Sequence, residues 1–123
     1  MSKIIQIKLN SIEITAELNN SNTAGAIWNA LPIKGRANLW GNEIYFSIPL
    51  NLELENGKDL VNVGDLGYWP QGNAFCIFFG PTPISEGNEI RPASLVSVFG
   101  KVVGDVSILK QINSGTEIII ERK

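Results

Sequence analysis

Glu43 and Tyr45 stand two residues apart, and Asp65 is followed closely by Tyr68 and Trp69. Residues two apart on a strand share a face. This spacing sets carboxylate acceptors beside aromatic walls, a combination that orients a ligand by hydrogen bonding and stacking. Trp40 and Trp69 are the tryptophans best suited to a pocket, while Trp28 reads as the anchor of a helix. The stretch Thr82-Pro83-Ile84-Ser85, together with Pro92-Ala93-Ser94, has the proline-stiffened character of a pocket rim, with Thr82 and Ser85 as its polar groups. The ligand-binding set expected from the chain is therefore Trp40, Glu43, Tyr45, Asp65, Tyr68, Trp69, Thr82 and Ser85. The competing reading makes the aromatics core packing and the acids turn caps.

Glu43 and Asp65 are also the candidate catalytic pair. Two carboxyl groups perform general acid-base chemistry when burial separates their proton affinities. Cys76 is the only cysteine and there is no histidine. A cysteine nucleophile needs a neighbouring base or a helix terminus, so Cys76 reads as a packing thiol. The same two facts argue against a transition-metal site, leaving only an oxygen-ligand site on Glu43 and Asp65 as a metal option. No metal and no cofactor are expected. Gly64, Gly67, Gly72 and Gly80 lack the strand-to-helix spacing of a dinucleotide fingerprint and read as turn and bend residues.

A length of 123 residues fits one domain over 1–123, and 44% hydrophobic with 18% charged residues fits a chain that folds by itself. The net charge of -2, from 10 basic and 12 acidic residues scattered along the chain, provides no basic surface for nucleic acid. A lone cysteine forms no intramolecular disulfide and suits a reducing compartment. No apolar run approaches the roughly 20 residues of a membrane helix, and no leader pattern precedes the first strand. The expectation is a cytoplasmic protein with neither membrane nor nucleic acid as a partner.

Ile5, Ile7 and Leu9, then Ile12, Ile14, Ala16 and Leu18, alternate with polar residues around Asn10-Ser11, which predicts an opening hairpin. Ala24, Ile27, Trp28 and Leu31 have helical spacing, with Ser21 or Asn22 to cap and Pro32 to stop. Leu50, Leu52 and Leu54 alternate up to Asn56-Gly57, predicting a type I′ turn and a return strand through Leu60, Val61 and Val63. Trp69-Pro70-Gln71-Gly72 predicts a type I turn and another hairpin. The run from Ala74 to Phe79 is apolar on both alternating faces, so it needs cover on both sides, from the interior and from a helix or a second subunit. Leu95 to Val103 reads as a strand with Gly100 at a bend or close approach. A short helix capped by Asp105 and a final strand at Ile118 to Ile120 end the chain. Short strands and frequent turns favour a barrel or sandwich, and a barrel removes exposed edges.

Several blocks carry a resemblance. Val98-Phe99-Gly100-Lys101-Val102-Val103-Gly104 with the short helix after it resembles the late strand, bend and helix of cyclophilins. Trp40 to Phe46, Gly64 to Pro70, Cys76 to Gly80 with Thr82-Pro83, and Pro92-Ala93-Ser94 are similar to the compact bacterial and archaeal branch of cyclophilin-like proteins of uncharacterised function. This resemblance implies a mainly β fold, a closed eight-stranded barrel with short capping helices. It does not imply proline isomerisation. The isomerase pattern F-H-R-V-I-P aligns with Ile44-Tyr45-Phe46-Ser47-Ile48-Pro49, so Phe46 stands where the isomerase arginine would be, and the F-M-x-Q-G-G-D segment is missing. Arg36 and Arg91 are the alternative donors, and their spacing gives no reason to expect either in the pocket.

Together these readings predict a binding module for a small molecule or peptide, with a homo-oligomer among the partners the chain allows. The alternatives are a divergent peptidyl-prolyl isomerase or a small acid-base enzyme using Glu43 and Asp65.

Overall fold

The computed structural model describes residues 3–123. The alternating segments at the amino terminus form β1 (Lys3–Leu9) and β2 (Ile12–Leu18), an antiparallel hairpin in which Asn10 takes the positive φ of 57° that its turn requires. Helix α1 (Asn22–Ala30) follows. Ser21 caps it by accepting from the Ala24 N–H at 3.1 Å, as the spacing predicts. Glu55 adds a second clamp from far along the chain, accepting from the N–H groups of Asn22 and Thr23 and from the Thr23 hydroxyl. At the other end of the helix, Arg122 lies 4.6 Å from the Trp28 ring centroid and donates to the Trp28 carbonyl, so Trp28 does tie α1 to the barrel.

The remaining strands are β3 (Ile33–Arg36), β4 (Asn38–Leu39), β5 (Glu43–Ser47), β6 (Asp65–Trp69), β7 (Ala74–Phe78), β8 (Ser97–Val103) and β9 (Glu117–Arg122). They form one antiparallel sheet of nine strands in the order β3-β9-β1-β2-β8-β6-β7-β5-β4. Its two edge strands, β3 and β4, are consecutive in the chain and separated only by Ala37, so the sheet curls until its edges meet. Nine strands in place of the expected eight is a matter of this break: β3 and β4 are two halves of one bent strand. At Ala37 the ladder becomes irregular: its N–H still donates to the Thr116 carbonyl at 2.8 Å, next in register after Arg36 and Glu117, but its carbonyl accepts from the Gly115 N–H one residue further on.

Inside the barrel the period-two pattern stacks Ile5, Ile7, Ile14, Ala16, Ile44, Leu66, Ile77, Ile118 and Ile120. The aromatic centre is Phe75, 5.0 Å edge-to-face from Phe99 and 5.5 Å from Phe46. Phe99 is the extra residue of a bulge in β8, since Leu66 pairs with Gly100 and Gly67 with Val98. Gly100 is a close approach, as expected: a Cβ there would sit 2.7 Å from the Glu17 carbonyl oxygen.

The predicted hairpin across Asn56-Gly57 does not form. Asn56 has a positive φ of 49° but Gly57 does not, so the two-residue turn lacks its second left-handed position. The backbone of this segment is satisfied by side chains from elsewhere, with Tyr68 Oη accepting from Leu52 N–H and Ser97 Oγ from Glu55 N–H. Its return half has no partner strand among the described residues and bridges other loops at Lys58 to Val96 and Val61 to Ile90. The helix predicted after Asp105 is a 3₁₀ turn over Ser107–Gln111, with Asp105 accepting from Ser107 as the cap.

Strand β7 is buried on both faces, but its outer cover is neither a helix nor a second subunit. Ala74, Cys76 and Phe78 lie under Val61, from the irregular segment after Asn56-Gly57, and under Ile90 and Val96, from the long connection between β7 and β8. The barrel thus carries a second, smaller hydrophobic cluster on its outside. No helix of the described residues is long and apolar enough to cross a membrane.

Candidate functional site

The outer cluster opens into a cavity of about 280 Å³, lined by Trp40, Glu43, Tyr45, Trp69, Pro92, Ala93 and Val96. Strand parity builds it. On β5, Ile44 and Phe46 turn inward, which leaves Glu43 and Tyr45 on the outer face. Cys76 is paired with Tyr45 and Trp69 with Ala74, so the same face continues across β7 to β6. Trp40 arrives from a tight turn in which Trp40 and Glu43 exchange backbone hydrogen bonds of 2.9 and 3.1 Å.

Glu43 is the chemically unusual member. It is 6% exposed, and its Oε1 has no hydrogen-bond partner. Burial raises its pKa from 4.5 to about 7, an effect that the neighbouring Cys76 side chain partly offsets by hydrogen bonding. Cys76 is itself fully buried, and burial followed by the Glu43 charge pushes its pKa well above 9.0. It remains a neutral thiol and no nucleophile, matching the packing role read from the chain.

Four of the sequence-predicted ligand residues, Trp40, Glu43, Tyr45 and Trp69, therefore converge. The other four do not line this cavity. Asp65 shares the outer face, but it lies beyond Phe78, two strands or roughly 10 Å across from Glu43. Its carboxylate accepts from the Asn62 N–H at 2.8 Å, closing a turn, and it borders a separate depression with Glu17, Val98 and Lys101. Glu43 and Asp65 are not a cooperating pair. Neither do they form a metal site, because no cluster of three ligand-type side chains occurs among the described residues.

Tyr68 points into the barrel and is fully buried. Its hydroxyl donates to the Leu50 carbonyl at 2.7 Å and accepts from the Leu52 N–H at 3.1 Å, fastening that irregular segment across the barrel end. Thr82 and Ser85 act behind the rim. Thr82 Oγ1 donates to the Arg91 carbonyl at 2.5 Å, while Ser85 Oγ accepts from the N–H groups of Thr82 and Arg91. They hold the strap that delivers Pro92 and Ala93 to the cavity. Val96 went unmarked as a lining residue: the strand expected from Leu95 begins only at Ser97, which leaves Val96 in the loop just before β8.

No guanidinium reaches the cavity. Phe46 is 2% exposed inside the barrel, Arg36 donates to the Gly115 carbonyl, and Arg91 is paired with Glu89 at 2.9 Å.

Ser94 fixes the aromatic wall. Trp69 Nε1 donates to Ser94 Oγ at 2.6 Å, and Ser94 in turn donates to Gln71 Oε1 at 3.0 Å. Ser94→Ala is expected to cost about 1 kcal/mol by orphaning the indole N–H. It should also shift the Trp69 indole resonance and broaden the tryptophan emission. An unchanged indole resonance would show that the bond does not hold the ring.

A closed antiparallel barrel with its pocket on the outer sheet face defines the architectural class. The cyclophilin-like family matches residues 3–121, and the chain belongs to that family. The solution structure of a hypothetical protein from Archaeoglobus fulgidus is 44% identical, covers 99% of this chain and 95% of its own, and superposes with a TM-score of 0.85. No curated protein is detectably similar in sequence.

Proposed function

We propose that the protein is a ligand-binding module whose outer-face cavity receives the head group of a small molecule or one side chain of a peptide. The observation that carries this reading is Glu43, a buried carboxyl group with an orphaned oxygen on an otherwise apolar, aromatic wall. Buried polar groups are ordinarily satisfied, and an unpartnered oxygen on a carboxyl group that lines a cavity points to a partner from outside the chain. A cavity of about 280 Å³ suits one such group and not an extended substrate. A fragment screen by NMR tests the reading. Binding should move the signals of Trp40, Tyr45 and Trp69 together, and a screen in which no fragment perturbs them would dispose of it.

A second reading rests on the proton affinity of the same residue. A carboxyl group titrating at about 7 is poised to take or give a proton near neutrality. Under this reading Glu43 acts alone, since Asp65 is engaged elsewhere. A divergent prolyl isomerase has less support, because no arginine lines the cavity.

A further inference from the structure

Resting on the binding reading above, the geometry points to a particular class of occupant: an alkylammonium cation, held by the Glu43 carboxylate and the aromatic side chains of Trp40, Tyr45 and Trp69.

The charge balance of the cavity is one-sided. Glu43 is the only carboxyl group among its lining residues, and neither lysine nor arginine stands among them. The strap contributes Pro92, Ala93 and Val96, none of them charged. Hydrogen-bonding capacity is skewed in the same direction. The Trp69 N–H is already given to Ser94, Pro92 has no N–H, and Glu43 Oε1 is an acceptor with nothing to accept. An anionic ligand would meet a carboxylate without a counter-charge. A neutral donor would satisfy Glu43 but gain little from the rings. A cation gains from both, because the face of an aromatic ring carries negative charge density and attracts ammonium groups, most strongly in desolvated surroundings. Two tryptophans and a tyrosine around a single acid are the composition of such a cage.

The cation also answers the cost of burying Glu43. The ligand stabilises the ionised carboxylate, so its binding releases a proton wherever Glu43 is protonated in the free protein. Tyr45 and Cys76 are the other titratable groups facing Glu43, and Cys76 stays a thiol. Affinity should therefore rise as the pH is raised through about 7 and level off above it.

The test compares shapes that differ only in charge. Choline and its neutral carbon isostere 3,3-dimethylbutan-1-ol are titrated by NMR at pH 8, and so are acetyl-trimethyllysine methylamide and its tert-butyl isostere. Each cation should bind about tenfold more tightly than its isostere, and whichever cation binds more tightly tells whether the ammonium arrives on a free small molecule or on a peptide side chain. Glu43→Gln should reduce the preference to about twofold, and Trp69→Leu should weaken both cations with Glu43 intact. Equal binding of a cation and its isostere would overturn the cation assignment while leaving the cavity a binding site. Failure of all four to bind would also overturn it, and the fragment screen would then decide the broader reading separately.

Discussion

Phe46→Arg is expected to unfold the protein and not to confer isomerase activity. Alignment alone makes this substitution attractive, since it restores the residue that proline isomerases carry at the matching position. The structure places that side chain inside the barrel, 5.5 Å from the Phe75 ring and packed so closely on Gly35 that a Cβ there would lie 2.5 Å from the Phe46 ring. Losing the buried ring costs about 3–5 kcal/mol. An arginine in its place adds an unpaired charge with no solvent within reach, worth several kcal/mol more. The sum is of the order of the whole stability of a domain, roughly 5–15 kcal/mol. Urea melts followed by circular dichroism provide the measurement. Phe46→Leu serves as the reference, losing about 1–2 kcal/mol but keeping the fold. Tyr45→Arg, one residue away on the outer face, should stay folded because its guanidinium emerges beside Glu43. A Phe46→Arg protein that melts like the wild type and speeds proline exchange would refute the inward assignment.

The second large effect is on the pH dependence of stability. The folded pKa of Glu43, about 7, exceeds its ordinary value of 4.5, so between these values the folded state holds a proton that the unfolded state has released. Stability then falls as pH rises through this window, by about 1.4 kcal/mol per pH unit, or about 3 kcal/mol in all. Below pH 4.5 both states are protonated and the penalty is absent; above pH 7 it is fully present. Glu43→Gln removes the titration. Urea titrations at pH 4.5 and pH 8 should show the wild type losing about 3 kcal/mol more than the variant between the two conditions. Above pH 7 the variant should be the more stable protein. Parallel losses in the two proteins would mean that Glu43 is better solvated, or better partnered, than its burial implies.

Much of the fold was legible because it rests on local rules. Ile5 to Leu18 announces its hairpin by strict alternation, and Ser21 announces α1 by the cap it supplies. The doubly apolar β7 correctly required cover on both faces. The segment around Asn56-Gly57 misled because only Leu50 and Leu52 pack against the barrel end while Leu54 is exposed, and Tyr68 and Ser97 stand in for a partner strand. The site was half legible for a similar reason. Glu43, Tyr45 and Trp69 are joined by strand parity and register, both readable from spacing once the barrel is given, and Trp40 joins them through the tight turn before β5. Asp65 is taken up by a local bond that closes a turn, the competing turn-cap reading of the acids, while Tyr68 is taken up by a bond to a distant segment that no spacing rule foretells. The orientation of Phe46 follows from which face of β5 meets the barrel interior, a fact invisible to a one-dimensional alignment.

The second hydrophobic cluster on the outside of β7 has an evolutionary corollary. Phe75 and Ile77 belong to one packing problem, and Ala74, Cys76 and Phe78 to another, although the five residues are consecutive. The loops that roof the outer cluster meet across the isolated bridges at Lys58 and Val61. Substitutions in the roof can therefore resize or re-line the cavity while the interior packing stays as it is. The barrel acts as a chassis and the outer face as an interchangeable fitting, so relatives that share every strand are free to differ in the shape and lining of that cavity.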